Sequence, residues 1–285
     1  MMDKFSVKSA ITYTILGFWT LVCVFPVYWL VVTSLKSESD ITDAPRFLPF
    51  VDFMPNLNAW RFILSDPQEN LLQRFANSLV VGLTATPLTI VTAALAIYGV
   101  TRFRYSGFAS ERFLVGLLAM RLLPPIAIVL PLYFMANASG LHDTLTVLIL
   151  VYTAANLPVA IWLLRPVLGT MATPQEESAL LEGASHGLIF FSILLPMVAQ
   201  SLLAVAILVF LLCWNEYLFA AYLATNHAMT VPTWLIGQLS IKEAQIGSEA
   251  EEWAHFSAAT ILMLVPVVAF AGLAQRFMAK VMVWR

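Results

Sequence analysis

The amino-acid sequence predicts an all-α polytopic membrane protein with six transmembrane helices, built as a single domain over residues 1–285. Three observations predict this. The chain is 60% hydrophobic and 11% charged, with a mean hydropathy of +0.83, far more apolar than water-soluble domains. Its apolar residues gather into runs free of Asp, Glu, Lys and Arg, each long enough to cross roughly 30 Å of hydrocarbon. Its connections differ in basic charge: the one between the second and third runs carries Arg102, Arg104 and Arg112, and the one after the third carries no Lys or Arg. Lipid offers no hydrogen bonds to exposed backbone, so the runs must be helices.

Taken in order, Ser9–Leu35 gives a span at about 10–34. Its apolar region exceeds the roughly 7–15 residues of a secretory signal, and no small-x-small site follows. Leu21-Val22-Cys23 lacks the small residue expected before a lipoprotein cysteine, so this span reads as an uncleaved signal anchor. Phe75–Thr101 gives the second span, 75–101. Glu111 and Arg112 introduce a run to Leu141, broken only by Arg121, which gives the third, about 113–136. Thr144–Leu164 gives the fourth, 144–165. Gly183–Asn215 is long enough for a short surface helix and a fifth span, 197–222, opened by Pro196. Trp253–Gln275 gives the sixth, 254–277. Tyr217–Ile241 looks like a further run. It holds Thr225-Asn226-His227, Thr230, Pro232-Thr233 and Gly237-Gln238, so most of it is expected to be an ordered loop.

The connection between spans 2 and 3 carries Arg102, Arg104 and Arg112, and the next carries no Lys or Arg. The amino end carries Lys4 and Lys8, and the carboxyl end carries Arg276, Lys280 and Arg285. Both termini are therefore expected in the cytoplasm, with residues 35–74 and 223–253 outside and 171–196 inside. The net charge of −2 supplies no basic surface for nucleic acid. Cys23 and Cys213 both lie in apolar runs and make no disulfide framework. No G-x-x-x-x-G-K-[ST] sequence occurs, so no ATP site is expected here. His142, His186, His227 and His255 show no metal-protease spacing, and neither a metal site nor a catalytic residue is expected.

The sequence EESALLEGASHGLIFFSILLP, residues 176–196, stands out in a chain with so little charge. Thr173-Pro174-Gln175-Glu176 reads as a helix start: Thr173 can cap, Pro174 suits the first turn, and Glu176 stands where a capping box needs its acid. Leu180, Leu181, Ala184 and Leu188 then fall on one face at helical spacing. Gly183 interrupts the helix and permits a bend or a close backbone approach. Two readings follow from these residues: a connecting hairpin with a solvated acidic face, or an amphipathic helix that docks on a soluble partner.

Glu177-Ser178-Ala179-x-x-Glu182-Gly183-Ala184-Ser185, followed by Phe190, Ile193, Leu195 and Pro196, resembles the coupling loop of the permeases of ABC importers. The family pattern has Ala at 178 and Asp at 182, where this chain has Ser and Glu. Residues 96–107, Pro124–Tyr133, Trp162-Leu163-Leu164 and Trp214-Asn215-Glu216-Tyr217 are similar to that family's carbohydrate branch, whose maltose-permease-like six-span subunit this chain resembles along nearly its whole length. The resemblance implies two short helices at a glycine bend seated in a cleft of a cytoplasmic ATPase, with Glu177 making the polar contact and Gly183 and Ala184 the close approach. It further implies a second, longer permease, an ATPase dimer holding ATP and Mg, and an extracytoplasmic solute-binding protein as partners, in a bacterial inner membrane. This chain would do no covalent chemistry itself, and most of the sugar specificity is expected in its partners.

Other candidates carry two readings each. Glu216, expected in the outer half of span 5, is either a pathway group or a structural partner of Asn215 or another helix. Asn77, Ser78 and Tyr133 can line a sugar path, as Asn215 and Tyr217 can, or cap and anchor helix ends. Asn156 can satisfy a carbonyl freed by Pro158, and Arg121 can snorkel or pair locally. Thr230, Val231, Pro232 and Trp234 correspond, by the resemblance, to a loop that reaches into the binding protein's sugar cleft; Trp234 can equally anchor at the interface. Two rivals are weighed against transport by an ABC importer. A proton-coupled carrier needs carboxylates in mid-membrane, for which Glu216 is the one candidate, and usually internal repeats. An intramembrane Ser–His hydrolase needs paired residues within spans, whereas the histidines sit at loops or span edges.

Overall fold

A computed structural model gives the fold. It describes residues 7–42, 45–65, 70–103, 112, 115–117, 119, 121, 123–170, 173–242 and 249–282. The expected features at Lys4, Arg104 and Arg285, and most of the first half of the third span, lie outside the described residues. Among those described, the chain is helical, and its extended backbone amounts to one isolated bridge, Pro49 to Phe53. In order the helices are α1 (Val7–Thr33), α2 (Glu38–Thr42), α3 (Asn58–Ser65), α4 (Leu71–Arg102), α5 (Pro125–Ala138), α6 (Leu145–Thr170) and α7 (Thr173–Leu181). They continue with α8 (His186–Trp214), α9 (Leu218–Leu223), α10 (Val231–Lys242) and α11 (Glu249–Met282). Five of these, α1, α4, α6, α8 and α11, contain stretches long and apolar enough to cross a membrane, and α5 is a shorter apolar helix.

The chain divides into two compact units. One comprises residues 1–71 and 235–266. In it α1 carries an outward-facing apolar surface, with Tyr13, Phe18 and Leu21 all strongly exposed, as a helix solvated by lipid requires. Beyond α1 the chain closes around Lys36, which is buried with its Nζ 4.3 Å from the centroid of the Trp29 ring and 5.7 Å from that of Phe53. Burial pulls the Lys36 ammonium below its ordinary pKa, partly offset by Asp40. Asp40 itself pairs with Arg46, and Asp52 accepts the Phe47 and Leu48 N–H groups at 2.9 and 2.8 Å. Ile63 of α3 is buried, and Phe62 stacks on His255 at 4.1 Å.

The second unit, residues 72–234 and 267–285, holds the larger core. Ala85, Ala93 and Ala94 of α4 and Ala160 of α6 are fully buried. Small residues at these contacts let helix backbones approach closely where lipid supplies no hydrophobic drive. Around them pack Ile97, Leu148, Leu164, Leu168, Phe190 and Leu194. Gly82 shows the same logic at one atom: a Cβ there would stand 2.9 Å from the Phe210 ring, itself 4.2 Å from the ring of Phe270.

Three details differ from the sequence expectations. Pro196 does not open a new span, because α8 runs without a break from His186. Residues Ile189–Leu194 form a π-helix, and the Leu195 N–H reaches back to the Phe190 carbonyl. The wider turn moves the preceding carbonyls off the α ladder, where a residue without N–H costs least. At the other end α8 stops at Trp214, so Glu216 lies in a break between α8 and α9 rather than inside a span. Lastly, much of the segment expected as a loop is helical, in α9 and α10. Val231 N–H bonds the Ser78 hydroxyl, and Trp234 N–H bonds the Thr230 carbonyl, so the Thr-Val-Pro-Thr stretch starts a helix instead of crossing a loop.

Gly82→Val should lower stability by about 1–3 kcal/mol through overpacking. Thermal unfolding in detergent checks this, with the smaller Gly82→Ala expected to lie between wild type and Val.

Candidate functional site

The stretch from α7 to α8 is built by local rules that the sequence spells out. Helix α7 ends at Leu181, and Gly183 takes a left-handed φ of +86°. The Gly183 N–H bonds the Leu180 carbonyl at 3.0 Å, and the Ala184 N–H reaches the Ala179 carbonyl at 2.9 Å. That pair of bonds is a Schellman cap with glycine at the position that favours it. Two residues later Ser185 caps the start of α8, its hydroxyl accepting the Leu188 N–H at 3.3 Å. The result is two helices joined by a tight, fully hydrogen-bonded corner. Among the described residues, no atom beyond its immediate chain neighbours lies within 4 Å of a Cβ built on Gly183, so glycine is favoured there by backbone conformation.

The corner presents an exposed face. Glu177, Ser178, Glu182 and Ser185 are exposed, Ala179 and Ala184 half-buried. Leu181 is 91% exposed, with Leu180, Leu188 and Phe191 exposed beside it. The Ser178 hydroxyl donates to the Pro174 carbonyl at 3.0 Å, which commits its proton to its own helix. Glu176 departs from expectation. Its carboxylate does not cap α7; it is buried and accepts the Arg102 Nε–H at 2.6 Å and the Nη2–H at 2.8 Å. Arg102, in the last turn of α4, also donates to the Leu168 carbonyl of α6 at 3.4 Å. Nearby the Tyr98 hydroxyl lies 3.1 Å from His186 Nδ1. Sequence reading missed this ion pair because 74 residues separate its partners. The available signal was the first Arg after a long apolar run, together with a loop carrying three glutamates.

The residues assigned to a solute path and those assigned to a protruding loop meet each other instead. Asn77 Nδ2 donates to the His227 and Met229 carbonyls at 2.9 and 3.0 Å. Ser78 accepts the Val231 N–H at 2.9 Å. Thr230, Val231, Pro232 and Trp234 are all buried, with the Arg74 guanidinium 5.6 Å from the Trp234 ring centroid. The expectation of an exposed tip at 230–234 is corrected: buried polar groups demand partners, and Asn77 and Ser78 satisfy this backbone by drawing it inward. The exposed residues of the segment are Thr225, Asn226 and His227. Their backbone is held by Asp143, whose carboxylate accepts the N–H groups of Asn226, His227 and Ala228 at 3.0, 3.0 and 3.2 Å. Burial pushes the Asp143 carboxyl up, but the three N–H donors and the neighbouring His227 outweigh it and hold its pKa below the ordinary value. Asp143 went unnoticed in the sequence because its ligands are backbone groups.

Glu216 is likewise a cap. Its Oε1 accepts the Phe219 N–H at 2.8 Å and its Oε2 the Ala220 N–H at 3.2 Å, at the positive end of α9. Asn215 is exposed and donates to the Leu211 carbonyl of its own helix at 2.8 Å. Tyr217 is exposed, and half-buried Tyr133 sets its ring edge-on to His142 at 5.2 Å. Asn156 donates to the Tyr152 carbonyl at 2.9 Å and to Cys213 Sγ at 3.4 Å, rather than to the Ala154 carbonyl that Pro158 frees. Arg121 donates to the next carbonyl, Ala155, at 3.0 Å.

Five membrane-length helices, with a capped, exposed helical corner ahead of one of them, make this an integral membrane protein with a built surface feature outside its long helices. The chain belongs to the family of binding-protein-dependent transport system inner membrane components, which matches residues 86–283. It is 32% identical over 260 residues to a probable ABC transporter permease of Sinorhizobium fredii, covering 91% of this chain and 88% of that one. It is 29% identical over 265 residues to a trehalose/maltose transport system permease of Thermococcus litoralis, covering 91% and 90%. Its fold matches a chain of a bacterial ABC transporter that imports the polysaccharide alginate, with a TM-score of 0.77 at 18% identity, over 96% of this chain and 99% of that one. The protein is thus a permease subunit of an ABC importer.

Gly183→Ala should strain the corner by about 1–2 kcal/mol, because an L-residue with a Cβ resists the left-handed region. Hydrogen exchange at the Gly183-position and Ala184 amides is then expected to speed up by about five- to thirtyfold. Asp143 makes a separate, pH-dependent prediction. A carboxylate with a lowered folded pKa contributes stability that is fully present above its unfolded value near about 3.9, and loses it as pH falls through the folded value. The stability difference between wild type and Asp143→Asn should therefore be constant at neutral pH and shrink below about pH 4.

Proposed function

We propose that this chain translocates a sugar or sugar-derived solute by alternating access, driven by ATP hydrolysis on a separate ATPase dimer. The capped corner at α7–α8 carries this reading. It offers a rigid, exposed apolar knob, Leu180, Leu181 and Leu188, flanked by Glu177 and Glu182, and rigid presentation lowers the ordering cost of docking. Glu177 supplies the polar contact to the ATPase, and Gly183 and Ala184 the point of close backbone approach. ATP and Mg act on the ATPase; this chain does no covalent chemistry. The sugar class is supported by the trehalose/maltose relative and by a diacetylchitobiose uptake permease of Streptomyces coelicolor, 29% identical over 95% of this chain. The alginate transporter in complex with a pentasaccharide-bound periplasmic protein supports an extracytoplasmic binding protein as a partner. A second, longer permease completes the membrane portion. Both termini and the α7–α8 corner face the cytoplasm, and Thr225–His227 face outward, where the binding protein docks.

Purified alone, the chain should neither hydrolyse ATP nor move solute, and co-expression with an ATPase subunit and a second permease should yield a stable complex. Saturable uptake of labelled trehalose or maltose by vesicles holding this chain alone would sink the proposal. Orientation is checked in intact spheroplasts: Asn226→Cys should react with an impermeant maleimide and Ser178→Cys should not. Within the complex, Glu177→Ala should weaken retention of the ATPase subunit about tenfold, because a partly buried contact loses one charged partner, whereas Ser178→Ala should leave retention unchanged.

A further inference from the structure

We propose that α4 is the strut that carries movement of the ATPase-docking corner to the outer segment 226–231, with the Arg102–Glu176 ion pair as its inner pin and Asn77 with Ser78 as its outer pin. The inner pin is a bidentate pair, with the Arg102 side chain 15% and the Glu176 side chain 6% exposed. Two parallel hydrogen bonds in a dry site fix distance and orientation together. Glu176 lies in α7, two turns before the Gly183 corner, so a displacement of that corner pulls on Arg102 directly. The outer pin consists of three hydrogen bonds with the backbone of 227–231: Asn77 Nδ2 donates to the His227 and Met229 carbonyls, and the Ser78 hydroxyl accepts the Val231 N–H. Backbone is a fixed target, so this joint transmits position rather than side-chain rotamer.

The shaft between the pins has the stiffness the role needs. Helix α4 is unbroken from Leu71 to Arg102. From Asn77 to Arg102 it spans roughly 38 Å at 1.5 Å per residue. Pro87 removes one ladder bond, yet hydroxyls bind the helix on both sides of it: Thr84 to the Val80 carbonyl, and Thr89 to the Ala85 carbonyl at 2.7 Å. Ala85, Ala93, Ala94 and Ile97 are buried, Ala85 and Ala94 on opposite faces, so the shaft is packed on more than one side. An ion pair serving stability alone has no reason to share a helix with the joint at the far end. Arg102 and Glu176 are positioning residues, acting through α4.

This inference rests on the importer reading, and its test separates the two. The full complex, with its ATPase and second permease, is placed in nanodiscs. The probe is the maleimide reactivity of Asn226→Cys, in a Cys23→Ala background, with and without ATP plus vanadate. The wild-type complex should hydrolyse ATP and show an ATP-dependent change in reactivity. Arg102→Gln and Glu176→Gln should still assemble, but lose that change by about tenfold, a typical size for coupling between sites. The charge-swapped pair, Arg102→Glu with Glu176→Arg, should restore much of it. Asn77→Leu should lose the change as well. Combining it with Arg102→Gln should add their stability penalties, since the sites are far apart, while reactivity falls no further than in the worse single variant, since two pins in series fail once. Loss of assembly in Glu176→Gln would make the pair a docking contact and overturn the proposal. So would a wild-type ATP response retained in Arg102→Gln, or ATP hydrolysis by the wild-type complex with no response at position 226. A wild-type complex that does not hydrolyse ATP would instead overturn the importer reading.

Discussion

A membrane interior provides no water to accept a stray hydrogen bond, and most of the polar architecture here follows from that one shortage. Hydroxyls within the long helices turn back on their own backbone: Thr89, Thr92 and Thr101 of α4 bond carbonyls four residues earlier at 2.7, 2.6 and 2.7 Å. Where helices end, the freed backbone groups are taken up one by one. Glu216 takes two N–H groups at the start of α9, Asp143 takes three at the turn beyond it, and Asn77 takes two carbonyls from the same turn. Asn77, Ser78 and Glu216, whose types suggest a solute path, thereby also hold backbone of the fold. An ionisable residue near a span therefore has to be weighed first against the backbone it can satisfy.

The same shortage explains why the α7–α8 corner differs from everything around it. At the edge of the membrane, water is available, and the chain can leave Leu181 and Leu188 exposed only because capping makes the corner rigid without burial. A Schellman glycine at one side and a serine cap at the other satisfy the helix ends locally, so the exposed face is free for a partner. Beneath it, Arg102 and Glu176 form a buried charge pair. Such a pair adds little net stability, because desolvation offsets its attraction, but breaking one side strands a charge. Its value lies in fixing geometry, which is what a subunit driven from outside the membrane requires.

Much of this was legible in the sequence. Local features were read correctly where the physics is local: five of the six expected spans became membrane-length helices, the third being a shorter apolar helix among the described residues, Gly183 became a bend, and the corner around it formed two helices. Where the sequence misled, a contact between distant segments had overruled a local preference. Pro196 reads as a helix opener, yet a π-helical turn packed through Phe190 and Leu194 carries the helix past it. Thr230-Val231-Pro232 reads as a loop, yet Ser78 and Asn77 draw it into a helix start.

By itself the sequence determined the solvent, the helical class and the capped corner at Gly183, because hydropathy, helix caps and glycine conformations depend on residues a few positions apart. The tertiary structure alone decided which polar groups face each other. Arg102 finds Glu176, Asp143 finds the 226–228 amides, and Asn77 finds the 227 and 229 carbonyls across separations of 74 to 152 residues. Hydrogen bonds of that kind carry no periodicity in the chain. They are chosen by which backbone groups the packed helices leave without water.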